Sequence, residues 1–185
     1  MTTNTLRPIE TRYAGCRFRS RLEARWAVFF DHMGIPWNYE PQGYVLADGR
    51  RYLPDFYLPE PATWVEVKGS NNQLDVNMFR RAAQDLPRLA PEAGEIGPKL
   101  LLLGPIPRPH TFDWGWIGGS PRYHGQGTVL HRWGFGPYHK NRRPWWLSGP
   151  VARETVKPEL EPSEHGCHDA YKAAASARFE HGENG

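Results

Sequence analysis

The feature that most constrains this chain is the stretch "YLPDFYLPEPATWVEVKG", residues 52–69. Two runs of aromatic and β-branched residues flank a turn built from "PEPA", which is the composition of a β-hairpin. Side chains alternate along a strand, so Trp64, Glu66 and Lys68 share one face of the second run, while Asp55 shares a face with Leu53 and Tyr57 in the first. A hairpin centred on Glu60 and Pro61 pairs residues whose numbers sum to 121, and 55 with 66 is such a pair. Asp55 is therefore expected directly opposite Glu66, with Cβ atoms roughly 4.5–5.5 Å apart.

Two carboxylates at that separation repel and ask for a cation between them. With the Val67 backbone carbonyl they form a set of hard oxygen donors suited to Mg²⁺, with Mn²⁺ as a substitute. Lys68, one pleat beyond Glu66, supplies an ammonium to hold a water nucleophile or to neutralise charge developing on a phosphate. The same residues would also suit a salt-bridge ladder on a solvated sheet face. The neighbours Leu53, Pro54, Phe56, Trp64, Val65 and Val67 leave little solvated face for one.

Around this stretch the sequence reads as α/β. Leu22, Trp26, Phe29, Phe30 and Met33 form one stripe of an amphipathic helix over residues 20–33, stopped by Gly34 and Pro36. Strands are expected over 37–40, 43–46, 52–58 and 63–68, with a hairpin turn at Asp48 and Gly49. A second helix over 71–86 leads to an apolar strand, "KLLLL" at 99–103, which the helical crossover allows to lie parallel to the strand at 63–68. "SRLE" at 20–23 has the form of a capping box in which Glu23 bonds back to the Ser20 amide. At the edge of the apolar stripe, Glu23 is also placed to face the sheet.

The expected organisation is a core over 13–104, an irregular Trp/Gly/Pro-rich basic extension over 105–150, a linker over 151–168 and a C-terminal helix over 169–181. The extension holds five of the chain's eight tryptophans. Residues 1–25 hold six arginines against Glu10 and Glu23, and residues 104–150 hold six basic residues against Asp113 alone. Such asymmetry fits a polyanionic partner, and Arg17, Arg19, Arg21, Arg25, Lys140, Arg142 and Arg143 are the candidate phosphate contacts. No run approaches the length of a membrane span and no signal-peptide pattern opens the chain, so a cytoplasmic protein without a membrane partner is expected. The sequence carries no dimerisation element, which leaves a homodimer open. His165, Cys167 and His168 cluster in the expected linker without a CxxC partner, so no zinc is expected.

"PDF" followed by "EVK" resembles the PD-(D/E)XK nuclease superfamily. Pro54 and Asp55 match its "PD", and Glu66, Val67 and Lys68 match its "(D/E)XK". The wider stretch "FRSRLEARWAVFFDHMGIPWNYEPQGYVL", with "YLPDFYLP" and "WVEVKG", is similar to small bacteriophage-type endonucleases related to the TnsA transposase endonuclease. The tail "AYKAAASARFEHG" is similar to the C-terminal end of those proteins. The resemblance covers residues 13–86 and implies a restriction-endonuclease-like core: a helix, a mixed four- to five-stranded sheet and a second helix. It also implies Mg²⁺-dependent cleavage of DNA, with Glu23 completing a site of Asp55, Glu66 and Lys68. A non-catalytic DNA-binding or adaptor protein that retains the fold is the alternative.

Overall fold

The structure is a computed structural model that describes residues 9–89, 99–106, 119–124, 127–132, 134–136, 146–148 and 166–179. In chain order the elements are β1 (Thr11–Tyr13), β2 (Cys16–Phe18), α1 (Arg21–Met33), β3 (Asn38–Tyr39), β4 (Tyr44–Val45), β5 (Arg51–Tyr52), β6 (Phe56–Leu58) and β7 (Thr63–Val67). There follow α2 (Val76–Asp85), β8 (Leu100–Leu103), β9 (Gly119–His124), β10 (Gly127–Arg132), β11 (Gly134–Gly136), β12 (Trp146–Ser148) and α3 (Gly166–Ser176). The class is α/β. A six-stranded mixed sheet runs in the order β10-β9-β8-β7-β6-β3, and β1-β2, β4-β5 and β11-β12 form separate two-stranded ribbons.

β6 and β7 form the expected antiparallel hairpin, with Phe56↔Val65, Tyr57↔Trp64 and Leu58↔Thr63 in register, every pair summing to 121. β8 lies parallel to β7, as the α2 crossover requires. Because residues on alternate sides of β7 face opposite layers, two cores form. Phe56, Leu58, Val65, Val67, Leu101 and Leu103 pack against Trp26, Phe29, Phe30 and Met33 of α1. On the other face Tyr57, Trp64, Leu100 and Leu102 pack against Phe79 and Ala82 of α2 and against Leu46 and Tyr52 of the β4-β5 ribbon.

α1 begins at an N-cap, Ser20, whose hydroxyl accepts from the Glu23 N–H, and ends at Gly34 with φ 66°. Gly34 donates to Asp31 and Ile35 donates to Phe30, the two bonds of a Schellman motif. The Asp48–Gly49 turn closes β4 on β5, with Gly49 at φ 84°. α3 lies against α1 through the buried Ala170 and Ala174, and the Tyr171 ring stacks on Phe29 at 4.5 Å.

Several sequence expectations need correction. The run 52–58 is two strands, because Pro54 lacks an N–H and Tyr52 pairs instead with Tyr44 in the ribbon. Leu53, expected on the apolar face beside Asp55, is exposed. The second helix starts at Val76, since Asp75 caps it by accepting from the Met78 N–H, and residues 71–73 form a 3₁₀ turn. The sheet is six-stranded, since β9 and β10 extend it beyond the irregular character expected of 105–150. The β1-β2 hairpin, turned through Ala14 and Gly15 at positive φ, straddles the expected start of the core at residue 13. No helix among the described residues is long and apolar enough to cross a membrane.

Candidate active site

The hairpin register sets the geometry. Continued one residue past Phe56↔Val65, it places Asp55 opposite Glu66, and one further places Pro54 opposite Val67. In β7, Trp64 donates its N–H to Lys99 and Lys68 donates to Leu103, so even-numbered residues bond toward β8 and odd-numbered ones toward β6. The Val67 amide therefore looks toward Pro54, whose ring nitrogen carries no hydrogen to offer its carbonyl. The Val67 N–H donates instead to Asp55 Oδ2 at 2.7 Å. A proline at this one register position thus ends the ladder, turns the Asp55 carboxylate onto the strand end and leaves the Val67 carbonyl without a ladder donor opposite it.

Asp55 and Glu66 are both buried. Burial first, then the Glu66 charge, pushes the Asp55 carboxyl up to about 8, against the pull of the Val67 N–H and of Lys68. Glu66 is held from both ends: the buried Tyr52 hydroxyl donates to Oε2 at 2.7 Å and the Lys68 ammonium pairs with Oε1. Burial and the adjoining Glu66 raise the Tyr52 phenol well above its ordinary range, which keeps it a donor.

Glu23 is buried at the start of α1 and faces Tyr39 of the sheet. Its Oε1 accepts from the Ser20 hydroxyl at 2.6 Å, and its Oε2 accepts from the Tyr39 hydroxyl at 2.7 Å and the Arg19 N–H at 3.1 Å. The expected return bond to the Ser20 amide is replaced by these. Both oxygens are engaged, so Glu23 fixes the entry to α1 and reaches Asp55 through its charge. Among the described residues no three His, Cys, Asp or Glu side chains converge as a ready metal cluster.

The arginines also separate. Arg19 Nη2 lies 3.3 Å from Asp55 Oδ1 and pairs with Glu40 Oε1, which puts this exposed arginine at the rim of the site. Arg17 is exposed and bonded to Glu10. Arg21 and Arg25 are half-buried on α1, and their Nε atoms are buried with no hydrogen-bond partner among the described residues. Lys140, Arg142 and Arg143 lie outside the described residues.

Sequence reasoning missed Tyr39, Glu40 and Tyr52. Glu40 follows β3, donates its N–H to the Asp55 carbonyl at 2.9 Å and holds φ at 42°, a left-handed conformation uncommon outside glycine. The centre gathers four carboxylates, Glu23, Glu40, Asp55 and Glu66, with two cations: Arg19 pairs with Glu40 and Asp55, and Lys68 pairs with Glu66. With every group ionised it carries a formal charge of −2, two negative charges beyond what the cations balance.

Asp55, Glu66 and the Val67 carbonyl are hard oxygens at one strand end, of the kind Mg²⁺ takes alongside its own waters. No protein-family model, curated protein or solved structure matches the chain.

Proposed function

We propose that this protein is a Mg²⁺-dependent nuclease that hydrolyses DNA phosphodiester bonds on a restriction-endonuclease-like core, as a phage-type endonuclease of recombination, repair or processing. One observation carries the reading: a single hairpin register buries Asp55 opposite Glu66 with Lys68 against the pair. Burying two like charges is costly, and a stable fold accepts it where a cation is to be held. Asp55, Glu66 and the Val67 carbonyl would hold Mg²⁺, or Mn²⁺ in its place. Such an ion supplies Lewis-acid polarisation of a phosphate and a more acidic bound water. Lys68 orients the attacking water and offsets negative charge on the phosphate, while Glu23 keeps Arg19 and Tyr39 in position beside Asp55.

A second reading has its own support. Arg19 and Lys68 already compensate Asp55 and Glu66, as a DNA-binding or adaptor protein without catalysis would need. Supercoiled, linear, branched and single-stranded DNA incubated with the purified protein, with Mg²⁺ and with chelator, separates the two. Expected is cleavage that needs Mg²⁺ and falls by about a hundredfold or more in Asp55→Ala and in Lys68→Ala, both still folded by circular dichroism. Binding without cleavage assigns the second reading. Undiminished cleavage in both variants overturns the site.

A further inference from the structure

Arg19 has an anchored backbone and a divided side chain. Its N–H is given to Glu23 Oε2 at 3.1 Å and to the Tyr39 hydroxyl oxygen at 3.0 Å, which fixes where the side chain starts. Its guanidinium then reaches two carboxylates through the same nitrogen, Nη2, with Asp55 Oδ1 at 3.3 Å and Glu40 in closer contact. The two partners differ in setting: the Asp55 side chain is 6% exposed, that of Glu40 22%, and that of Arg19 56%. Glu40 is brought there by a left-handed backbone turn that a non-glycine residue adopts only at a cost in energy.

A divalent ion bound by Asp55 would stand within a few ångströms of that guanidinium, and like charges so close repel strongly where water is partly excluded. Because one nitrogen serves both acids, leaving Asp55 does not require leaving Glu40. The guanidinium keeps a charged partner and needs only a small side-chain rotation. We propose that Arg19 is the resident counter-cation of the carboxylate site, a positioning residue that a divalent ion displaces from Asp55 onto Glu40, and that this exchange sets the affinity of the site for metal. The inference rests on the metal-centre reading above.

The test is direct Mn²⁺ binding to the full chain, read by electron paramagnetic resonance without DNA. Wild type is expected to bind in a manner lost in Asp55→Asn, and Arg19→Gln to bind about tenfold more tightly, since one competing charge is gone. Arg19→Lys, which keeps the charge, should stay near wild type. Glu40→Gln should weaken binding when Arg19 is present, by leaving the guanidinium on Asp55, and have a smaller effect in the Arg19→Gln background. Binding in Arg19→Gln alone, with none in wild type, also supports the exchange. Wild-type binding that depends on Asp55 but is unchanged or weaker in Arg19→Gln overturns the inference and leaves the metal centre standing. Mn²⁺ binding indifferent to Asp55→Asn with either residue at position 19 overturns the metal centre itself.

Discussion

Asp55 places an electrostatic strain on the fold whose sign is fixed by its surroundings. Its carboxyl is raised from 3.8 to about 8, so the folded state favours the protonated form more than the unfolded chain does. The associated stability is complete below about pH 4 and is lost as pH rises toward 8. Each unit of such a gap is worth ~1.4 kcal/mol, and the whole is on the order of a few kcal/mol. Asp55→Asn removes the titration while its side-chain oxygen can still accept from the Val67 N–H. Urea denaturation in chelator at pH 5, 7 and 9 should therefore show the variant gaining on wild type as pH rises; a constant difference would mean that the carboxylate is not held at this disadvantage. Asp55, Glu66 and Lys68 were legible in the sequence because a period of two and a short turn determine which residues face each other. Tyr39, Glu40 and Tyr52 were not, since they arrive on other elements, and Glu40 depends on a backbone turn that no local pattern of polar and apolar residues announces.

At the scale of elements, the clearest signals were those in which one stripe and one stop agree. α1 follows its stripe from Leu22 to Met33 and stops at Gly34, where φ 66° suits a residue without Cβ. Where two local preferences compete, the outcome depends on hydrogen bonding: Asp75 caps α2 within the run expected to be helical from residue 71, and Pro54 divides a run that otherwise reads as one strand. The alanine content of α3 signals a helix but does not reveal its partner. Ala170 and Ala174 are fully buried, and their small side chains allow α3 to lie close to α1, with Tyr171 between Trp26 and Phe29. Ala174→Asp would set a carboxylate into this apolar core. It is expected to destabilise the chain by about 3 kcal/mol, against a change within about 0.5 kcal/mol for Lys172→Ala on the exposed face. Thermal melts of both variants check this, and equal midpoints would show that α3 does not carry its share of the core.

Across the whole molecule, stability should be graded outward from β7. All five of its residues are buried, and it is bonded to β6 on one side and β8 on the other, with α1 and α2 covering its two faces. The order β6-β7-β8 could be anticipated from a short hairpin followed by a helical crossover. The β9-β10 hairpin could not, because Gly119, Pro121 and Gly127 have the composition of a loop and become strand only by pairing. Among the described residues the join is narrow: β8 and β9 share one registered pair, Leu102↔Gly119, and Pro121 just beyond it has no N–H to continue a ladder. An element attached through so narrow a backbone join can open while β7 stays closed. Native-state hydrogen exchange should accordingly find the amides of β7 and β8 exchanging only through global unfolding. Those of β9 and β10 should open at a free energy lower by about 2 kcal/mol or more. Equal protection in the hairpin and in β7 would mean that the six strands unfold as one cooperative unit, and that the hairpin is held by more than the pair at Gly119.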